Sequence, residues 1–325
     1  MTPVLEARDL AVVFRGRGRE PAARAVDGVD LAVRRGEILA LVGESGCGKT
    51  TLARALLGLV RPARGEVRVD GAPLGYSSRD LKGYRRRVQL VLQDPSGALN
   101  PRQTVYEAVA EGLRIHRVAG DERELVGRAL ARAGLRPPER FFLSFPHELS
   151  GGQRQRVVIA GALALDPEVI VADEPVSSLD ASVRGEILAL LLRLRDELGL
   201  TVLVVTHDLG LAWNVADRIA VMYLGRVVEE GPTEQVLAEP RHPYTRALLS
   251  VVPEIRHVAP VVLAGEPPDP TRVPAGCRFH PRCPALADGT AAAAGIAERC
   301  RVEPVPVLPA DQGHRAACFL PLVSR

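Results

Sequence analysis

Four short runs of apolar residues recur along the chain without the polar alternation of a half-buried strand. They are residues 38–42, 88–92, 169–172 and 201–206. Such runs are typical of strands that are buried on both faces of a parallel sheet. Patterns with helical spacing occupy residues 52–59, 153–165 and 183–198. Because strands alternate with helices, we predict an α/β core with a mostly parallel sheet.

Two further changes in pattern predict how the 325 residues are divided. Residues 94–150 are helical and poor in strands, which indicates a helical subdomain at about residues 94–160. Proline becomes dense near the end, since 12 of the 26 prolines lie in residues 253–325. We therefore expect one domain at residues 1–252 and a loop-rich C-terminal extension at residues 253–325.

Charge and hydropathy exclude several classes of protein. The 42 basic and 39 acidic residues give a net charge of +3, which is too balanced to indicate a nucleic-acid partner. The longest apolar stretch, residues 157–172, is interrupted by Asp166 and Glu168, so no membrane span is expected. Glu6 and Asp9 interrupt the first apolar stretch, which argues against a secretory signal and for a cytosolic chain.

A glycine-rich motif follows the first apolar run and precedes a predicted helix. Its residues are Gly43, Glu44, Ser45, Gly46, Cys47, Gly48, Lys49, Thr50 and Thr51. The glycines let backbone N–H groups surround phosphate oxygens, and the helix directs its positive end at the same anion. Lys49 is predicted to contact the β- and γ-phosphates and Thr50 to ligate Mg²⁺. Cys47 is interpreted as a small filler, although an exposed thiol there would be open to alkylation.

Polar side chains end the other apolar runs. Asp173 and Glu174 end the third run, where Asp173 is predicted to hold Mg²⁺ through water and Glu174 to polarise the attacking water. Exposed carboxylates without a function are the alternative. Gln93 and His207 end the second and fourth runs, at the edge where α/β sheets bind ligands. For His207, a solvated loop histidine is the alternative.

A second phosphate site is predicted where residues 149–153 form the motif LSGGQ. Ser150 is able to cap the following helix, and Gly151 and Gly152 leave its first N–H groups open to an anion. A simple helix cap with two spare glycines is the alternative for this motif.

The chain closely resembles the ATP-binding subunits of ABC transporters over roughly residues 4–231. The resemblance rests on motifs in the family's order: the phosphate loop at 43–51, Gln93, LSGGQ at 149–153, Asp173, Glu174, SSLD at 177–180, and His207. It implies a P-loop NTPase (RecA-like) fold that hydrolyses ATP with Mg²⁺. It also implies that Phe14 stacks on adenine, with a core strand position as the alternative.

The resemblance further implies a role for each site residue. Glu174, His207 and Gln93 would be catalytic, and Thr50, Gln93 and Asp173 would hold Mg²⁺. The residues that would act in trans, on ATP bound by a partner subunit, are Ser150, Gly151, Gly152, Gln153 and Asp180. Two ATP molecules would then lie between two ATPase subunits arranged head to tail.

The implied assembly is an importer. Its partners would be a homologous ATPase subunit (in a heterodimer), two transmembrane permease subunits and, indirectly, an extracytoplasmic solute-binding protein. The chain would lie peripherally on the cytoplasmic face of the membrane. A soluble ABC ATPase of translation or DNA repair is the alternative, but it usually carries two modules or a long coiled-coil insert. A small GTPase would need an Asn-Lys-x-Asp element, and neither Lys49 nor Lys82 follows asparagine.

The later motifs resemble the oligopeptide/dipeptide (and nickel) importer subfamily. They comprise residues 93–101, 222–225, 229–231 and 242–248, followed by Cys277, Cys283, Cys300 and Cys318. Related subunits carry an iron–sulfur cluster, which makes a [4Fe–4S] cluster one interpretation of the four cysteines. Zinc and unmetallated thiols are the alternatives, since the spacing lacks the C-x2-C pairs of zinc fingers. His280 and His314 are interpreted as loop residues, not ligands.

Overall fold

The computed structural model describes residues 3–16, 21–177, 179–252, 261–305 and 313–320. Within these ranges the strands are β1 (Pro3–Phe14), β2 (Ala23–Arg34), β3 (Ile38–Val42), β4 (Arg64–Val69), β5 (Ala72–Pro73), β6 (Val88–Val91), β7 (Val169–Asp173), β8 (Thr201–Thr206), β9 (Arg218–Tyr223), β10 (Arg226–Pro232) and β11 (Arg315–Ala316).

Helices separate most of these strands. They are α1 (Lys49–Leu56), α2 (Ser78–Arg87), α3 (Pro95–Ala98), α4 (Val105–His116), α5 (Glu122–Arg132), α6 (Gly151–Leu163), α7 (Ala181–Leu198), α8 (Leu209–Val215), α9 (Thr233–Ala238), α10 (Pro243–Ser250), α11 (Pro284–Ala287), α12 (Thr290–Ala293) and α13 (Ala297–Val302). Short 3₁₀ turns occur at Pro138–Arg140, Pro146–Glu148 and His280–Arg282.

One compact unit contains Val33–Ile38 and Leu74–Val205. Its strands β6, β7 and β8 lie side by side and run parallel, with Val169 opposite both Val88 and Thr201. Every residue of β8 is buried, which explains why its sequence shows no polar alternation.

Between β6 and β7 this unit is built from helices. Both α4 and α5 contact α6. Helix α4 begins at a capping box, in which Thr104 accepts a hydrogen bond from the Glu107 backbone and the Glu107 carboxylate accepts one from the Thr104 N–H. Its apolar face is buried through Val105, Val109 and Leu113. These helices account for the strand-poor pattern of the sequence.

The other compact unit contains Pro3–Ala32, Leu39–Pro73 and the chain from Thr206 onward. Its strand β3 pairs in parallel with β9, and β9 and β11 both pair antiparallel with β10. A second sheet has the order β2-β1-β4-β5 and contains the antiparallel pair β1–β4. The apolar runs did not predict this sheet, because β1 and β2 mix buried and exposed positions.

The tail, defined here as residues 261–305 and 313–320, consists of loops, short helices and the two-residue strand β11. Ala291, Ile296 and Cys300 form a small apolar cluster with Leu286 and Phe319. So little apolar burial makes contacts with the rest of the unit important for the tail's stability.

Ring packing and ion pairs attach the tail to its unit. Phe279 is buried, with its ring centroid 5.2 Å from that of Tyr223 and 5.3 Å from that of Tyr244. On β11, the Arg315 side chain forms an ion pair of 2.6 Å with Glu230 on β10.

The predicted fold class is confirmed, and the predicted strands and helices are close to those observed. Strands 38–42 and 201–206 have the predicted bounds, and the run at 88–92 ends one residue earlier, at Val91. The helix predicted at 52–59 begins at Lys49, because the glycine-rich motif itself contributes the first helical turn.

Candidate functional site

The glycine-rich loop connects β3 to α1. At two of its positions the neighbouring backbone leaves no space for a Cβ atom, so only glycine fits there. Gly43 has φ of 154°, and a Cβ there would lie 2.2 Å from the Met222 carbonyl oxygen. Gly48 has φ of 108°, and a Cβ there would lie 2.1 Å from the Ala25 carbonyl oxygen. The backbone of the loop is therefore held against two neighbouring strands in a conformation that side chains do not permit.

Lys49 directs its ammonium group into this loop. Its side chain is 7% exposed, and Nζ donates hydrogen bonds to the carbonyl oxygens of Gly43 at 2.7 Å and Glu44 at 2.9 Å. Helix α1 has Gly48 as its N-cap, with no side-chain cap for its first N–H groups. A buried cation beside an uncapped helix start is an arrangement that fits a phosphate group.

The other loop residues differ in exposure. Ser45 and Gly46 are exposed, Thr50 and Thr51 are half-buried, and Cys47 is buried. Burial raises the pKa of the Cys47 thiol, and the Cys47 carbonyl oxygen accepts a hydrogen bond of 2.8 Å from the Gly225 N–H. Cys47 is thus a filler side chain, and the exposed, alkylatable thiol considered from the sequence is not present.

Glu44 has partners that the sequence did not indicate. Its backbone N–H donates to the Tyr244 hydroxyl at 2.9 Å. Its carboxylate accepts two hydrogen bonds from the Arg282 guanidinium, at 2.8 and 3.1 Å. Tyr244 lies 200 residues further along the chain than Glu44, and Arg282 lies 238 residues further. No local pattern signals contacts at such distances.

Two more predicted residues, Phe14 and His207, belong to the same compact unit as the loop. Phe14 ends β1 and is 47% exposed, so the alternative of a core position is wrong. His207 follows β8 and is exposed. An exposed aromatic ring offers a face for a planar base, and an exposed imidazole is accessible to substrate.

The predicted carboxylates and Gln93 belong to the other compact unit. Asp173 is the last residue of β7, and Asp173 and Glu174 are half-buried. Glu174 has φ of 51°, and its N–H donates to the Val205 carbonyl oxygen at 2.8 Å. A left-handed glutamate is unusual, and such conformations occur often at functional sites. Gln93 is exposed two residues after the end of β6.

The LSGGQ motif in this unit forms the predicted helix cap. Ser150 is the N-cap of α6, where its hydroxyl accepts from the Gln153 N–H at 3.2 Å and its own N–H donates to the Gln153 side chain at 2.9 Å. Gly152 is buried, and a Cβ there would lie 2.6 Å from Val183 of α7. Gly151 is half-buried, and Asp180 is the exposed N-cap of α7.

The four late cysteines lie near one another in the tail. Burial raises the pKa of all four thiols, to about 11 for Cys277 and about 12 for Cys318. The other three thiols raise the pKa of Cys318 further, and the Cys277 N–H donates to the Cys300 carbonyl oxygen at 2.9 Å. In the described ranges, however, no three His, Cys, Asp or Glu side chains are arranged to hold a metal ion.

No helix in the described part of the chain combines the length and the apolar character that crossing a bilayer requires.

Comparisons with known protein families match two regions of the chain. The family described as ABC transporter matches residues 26–177, and the family described as oligopeptide/dipeptide transporter, C-terminal region, matches residues 228–289.

Similar sequences cover almost the whole chain. A probable peptide ABC transporter ATP-binding protein of Sinorhizobium fredii is 43% identical over 92% of this chain and 83% of its own length. A dipeptide transport ATP-binding protein of Haemophilus influenzae is 41% identical over 98% of this chain and 97% of its own. A putative oligopeptide transport ATP-binding protein of Bacillus subtilis is 44% identical over 87% of this chain and 88% of its own.

Solved structures share the fold. The protein cbiO1 from Clostridium perfringens, part of an ABC transporter complex, superposes with a TM-score of 0.66 at 30% identity, covering 79% of this chain and 98% of its own. A dimeric ATP-binding cassette in a post-hydrolysis state, bound to ADP and Pi, gives a TM-score of 0.63 at 33% identity, covering 70% of this chain and 98% of its own.

Proposed function

Since the chain belongs to the ATP-binding proteins of the ABC transporter family, with an oligopeptide/dipeptide-type C-terminal region, we propose that its ATP hydrolysis powers peptide import through partner membrane subunits. The observation that carries the proposal is one chain that combines the phosphate loop around Lys49 with that C-terminal region. In this proposal residues 1–252 form the ATPase domain, with its helical subdomain at about 94–160, and residues 253–325 form the extension.

ATP is the substrate of the proposed reaction. The ring of Phe14 stacks on the adenine. The ammonium of Lys49 and the backbone N–H groups of the loop at residues 43–51, apart from the Glu44 N–H that Tyr244 already accepts, bind the phosphates. Lys49 Nζ now donates to the carbonyl oxygens of Gly43 and Glu44, and phosphate oxygens take the place of these two acceptors when ATP binds. Thr50, Gln93 and Asp173 would hold Mg²⁺, which would supply positive charge to neutralise the phosphates.

The proton-transfer step is assigned to Glu174. Its carboxylate accepts a proton from the attacking water as the water adds to the γ-phosphorus and the bond to the β-phosphate oxygen breaks. The left-handed backbone conformation of Glu174, together with the hydrogen bond from its N–H to the Val205 carbonyl oxygen, fixes the position of its Cα at the end of β7. His207 and Gln93 are the other proposed catalytic residues, which orient the γ-phosphate and the water.

The proposed assembly contains a second, homologous ATPase subunit, in a heterodimer. Ser150, Gly151, Gly152, Gln153 and Asp180 act on the ATP that the partner subunit binds. Because Ser150 and Gln153 satisfy one another, the first turn of α6 is rigid and keeps N–H groups available for an anion. Two permease subunits span the membrane, the chain lies peripherally on the cytoplasmic face, and an extracytoplasmic solute-binding protein delivers the peptide.

The Glu174→Gln variant tests the hydrolysis step. The amide keeps the shape of the side chain but accepts no proton, so ATP turnover should fall by roughly 10²–10⁴-fold while ATP still binds. The variant should accumulate as an ATP-bound dimer with its partner, which size-exclusion chromatography detects. Turnover near that of the wild type would assign the base to another residue.

Action in trans is tested with Ser150→Arg. The arginine fills the space in front of the α6 N–H groups, so hydrolysis should fail while ATP still binds to the phosphate loop of the same chain. In a mixture with a partner that has an intact LSGGQ motif, one of the two sites should recover. A loss of ATP binding by the isolated Ser150→Arg chain would contradict the head-to-tail arrangement.

Purification of the native assembly, followed by mass spectrometry of its subunits, distinguishes the importer from a soluble ABC ATPase. An importer should copurify with two membrane-spanning subunits and a second ATPase. A chain recovered only with soluble partners would favour the alternative.

A [4Fe–4S] cluster on Cys277, Cys283, Cys300 and Cys318 is the finer proposal for the tail. Four thiols that interact with one another, one of them buried and three half-buried, in a tail with little apolar burial support it, because metal binding energy contributes directly to folding. Cluster insertion would require the thiols to lose their protons and to draw together. Protein purified without oxygen should be brown and contain about four iron and four sulfide per chain. Colourless protein with one zinc, or with four alkylatable thiols, would contradict it.

A further inference from the structure

The tail contacts the phosphate loop through a buried ion pair. Arg282 donates from Nη1 and Nη2 to the two carboxylate oxygens of Glu44, and the Arg282 and Glu44 side chains are 6% and 26% exposed. The hydrogen bonds with Glu44 raise the pKa of Arg282, so the guanidinium stays charged. Two parallel hydrogen bonds fix both distance and orientation, which makes this geometry the most specific form of an Arg–carboxylate pair.

Arg282 is held in place by the packing around it. It ends the 3₁₀ turn His280–Arg282, and its N–H donates to the Phe279 carbonyl oxygen at 3.0 Å. Phe279 is buried against Tyr223 and Tyr244, and the two tyrosine rings lie 4.7 Å apart. The guanidinium is therefore presented to the loop by a rigid aromatic cluster, with little side-chain entropy left to lose.

The backbone of Glu44 is hydrogen-bonded to Lys49, the residue that is proposed to bind phosphate. Its carbonyl oxygen accepts a hydrogen bond of 2.9 Å from Lys49 Nζ, while its N–H is bound by the Tyr244 hydroxyl. A free carboxylate on this residue would place an unpaired negative charge on the loop that is proposed to bind the triphosphate, and charges this close along the chain are only partly screened by salt. Repulsion at that distance in a partly buried site would weaken nucleotide binding.

We propose that Arg282 of the tail is a positioning residue for nucleotide binding, which holds and neutralises Glu44 so that the phosphate loop accepts a triphosphate. The tail is then part of the nucleotide-binding apparatus, although it contributes no group to the phosphates. This inference rests on the proposed function, and it assigns to the tail a role that the phosphate loop alone does not require.

A simpler role for the ion pair is to anchor the tail, and two variants separate the roles. Arg282→Met leaves the half-buried Glu44 carboxylate without its arginine partner, whereas the double variant Glu44→Gln, Arg282→Met also removes the uncompensated charge. Arg315→Met is the matched control, because it removes another ion pair of the tail while Glu230 keeps its pair with Arg218. The probe is Mg²⁺ with the non-hydrolysable analogue AMP-PNP, titrated calorimetrically into the full chain at 0.05 and 0.5 M salt.

Arg282→Met should raise the AMP-PNP dissociation constant by about 10-fold at low salt and by less at high salt, because salt screens the repulsion. The double variant should return to within about 3-fold of the wild type, and Arg315→Met should stay there as well. Equal weakening by Arg282→Met and Arg315→Met, or no recovery in the double variant, would overturn the inference.

If Arg282→Met does not fold, AMP-PNP binding by the single variant Glu44→Gln tests the inference instead. It leaves a positive charge near the loop, so AMP-PNP should bind at least as tightly as to the wild type. A loss of about 10-fold would overturn the inference, since a neutral side chain repels no phosphate. Wild-type protein that fails to bind AMP-PNP at all would overturn the proposed function itself, and this inference with it.

Discussion

The strands beside the phosphate loop and the tail belong to the same compact unit but are stabilised by different interactions. All residues of β3 and β9 are buried, and the two strands form a parallel backbone ladder. The tail instead uses polar side chains: Arg278 and Arg282 form ion pairs with Asp27 and Glu44, and the His314 ring is hydrogen-bonded to Glu229.

This difference has consequences for how each region responds to change. A core that is stabilised by apolar burial tolerates apolar substitutions of similar volume, because its stability falls gradually as the packing becomes poorer. A buried ion pair is stabilising only while both partners are present, and removal of one leaves an uncompensated charge. We therefore expect the core to be disturbed mainly where an added side-chain atom finds no space. The tail and the residues that hold it should lose stability after single polar substitutions and after changes of pH.

The largest effect should come from an added methyl group in the loop. In Gly48→Ala the new Cβ would lie 2.1 Å from the Ala25 carbonyl oxygen, at a φ of 108°. The loop must then move away from β2, and AMP-PNP binding should weaken by at least about 100-fold, or about 2.7 kcal/mol. Calorimetric titration measures this loss.

Gly199→Ala is the control for that prediction. It also has a left-handed φ, 64°, but a Cβ there would meet nothing within 4 Å. Its cost should be limited to the backbone strain, about 1 kcal/mol of folding stability, with nucleotide affinity unchanged. Equal losses of affinity in both variants would show that left-handed strain, and not lack of space, controls the loop.

An intermediate effect is expected from Glu229→Gln. The Glu229 side chain is fully buried and accepts hydrogen bonds from the Arg241 N–H at 2.7 Å, the His242 N–H at 2.8 Å and the His314 ring at 2.7 Å. The amide presents an N–H group to one of these donors, so the free energy of unfolding should fall by about 1–3 kcal/mol.

Urea denaturation and hydrogen exchange check this prediction together. Residues 313–320 should exchange faster in Glu229→Gln than in the wild type. Glu66→Gln, which breaks the exposed pair with Arg68, should change stability by less than about 0.5 kcal/mol. If the two substitutions cost the same, the buried carboxylate is not what holds the tail.

The smallest effect concerns pH and His242. Burial lowers the pKa of His242 to about 4, and the charge of Glu229 opposes this only in part. The unfolded chain therefore binds a proton near pH 6.5 that the folded chain refuses until about pH 4, so stability falls as pH drops between these values. From pH 7.5 to 5.5 this histidine should account for about 1 kcal/mol of lost stability.

The variant His242→Asn isolates that contribution. Asparagine has an oxygen that is able to accept the hydrogen bond His242 Nδ1 now accepts from the Tyr244 N–H, but it does not titrate. In urea denaturation the variant should lose about 1 kcal/mol less than the wild type between pH 7.5 and 5.5. Identical pH dependence in the two proteins would contradict the role of His242.

The sequence predicted the interactions that depend on local pattern. Strands β3 and β8 follow from continuous apolar runs, the phosphate loop from its glycines, and the cap of α6 from Ser150. In each case the residues that determine the structure are neighbours in the chain, so their spacing carries the information.

The contacts of the tail were not predictable in this way. Glu44 and Arg282 are 238 residues apart, and neither has a neighbour that identifies the other. His314, interpreted from the sequence as a loop residue, is buried with its ring on Glu229. Partners chosen by the fold leave no periodic signal, and the alternation in β1 and β2 is too irregular to have revealed their sheet.

Binding of Mg–ATP on the loop at residues 43–51 is open to an experiment that locates the nucleotide. The full chain is photolabelled with 8-azido-ATP and Mg²⁺, and the labelled peptides are identified by mass spectrometry. The label should appear on the peptide that contains Phe14, and it should be lost in Lys49→Ala, which removes the only ammonium group bonded to the loop carbonyls in the described structure. Labelling that avoids Phe14 and persists in Lys49→Ala would contradict the account.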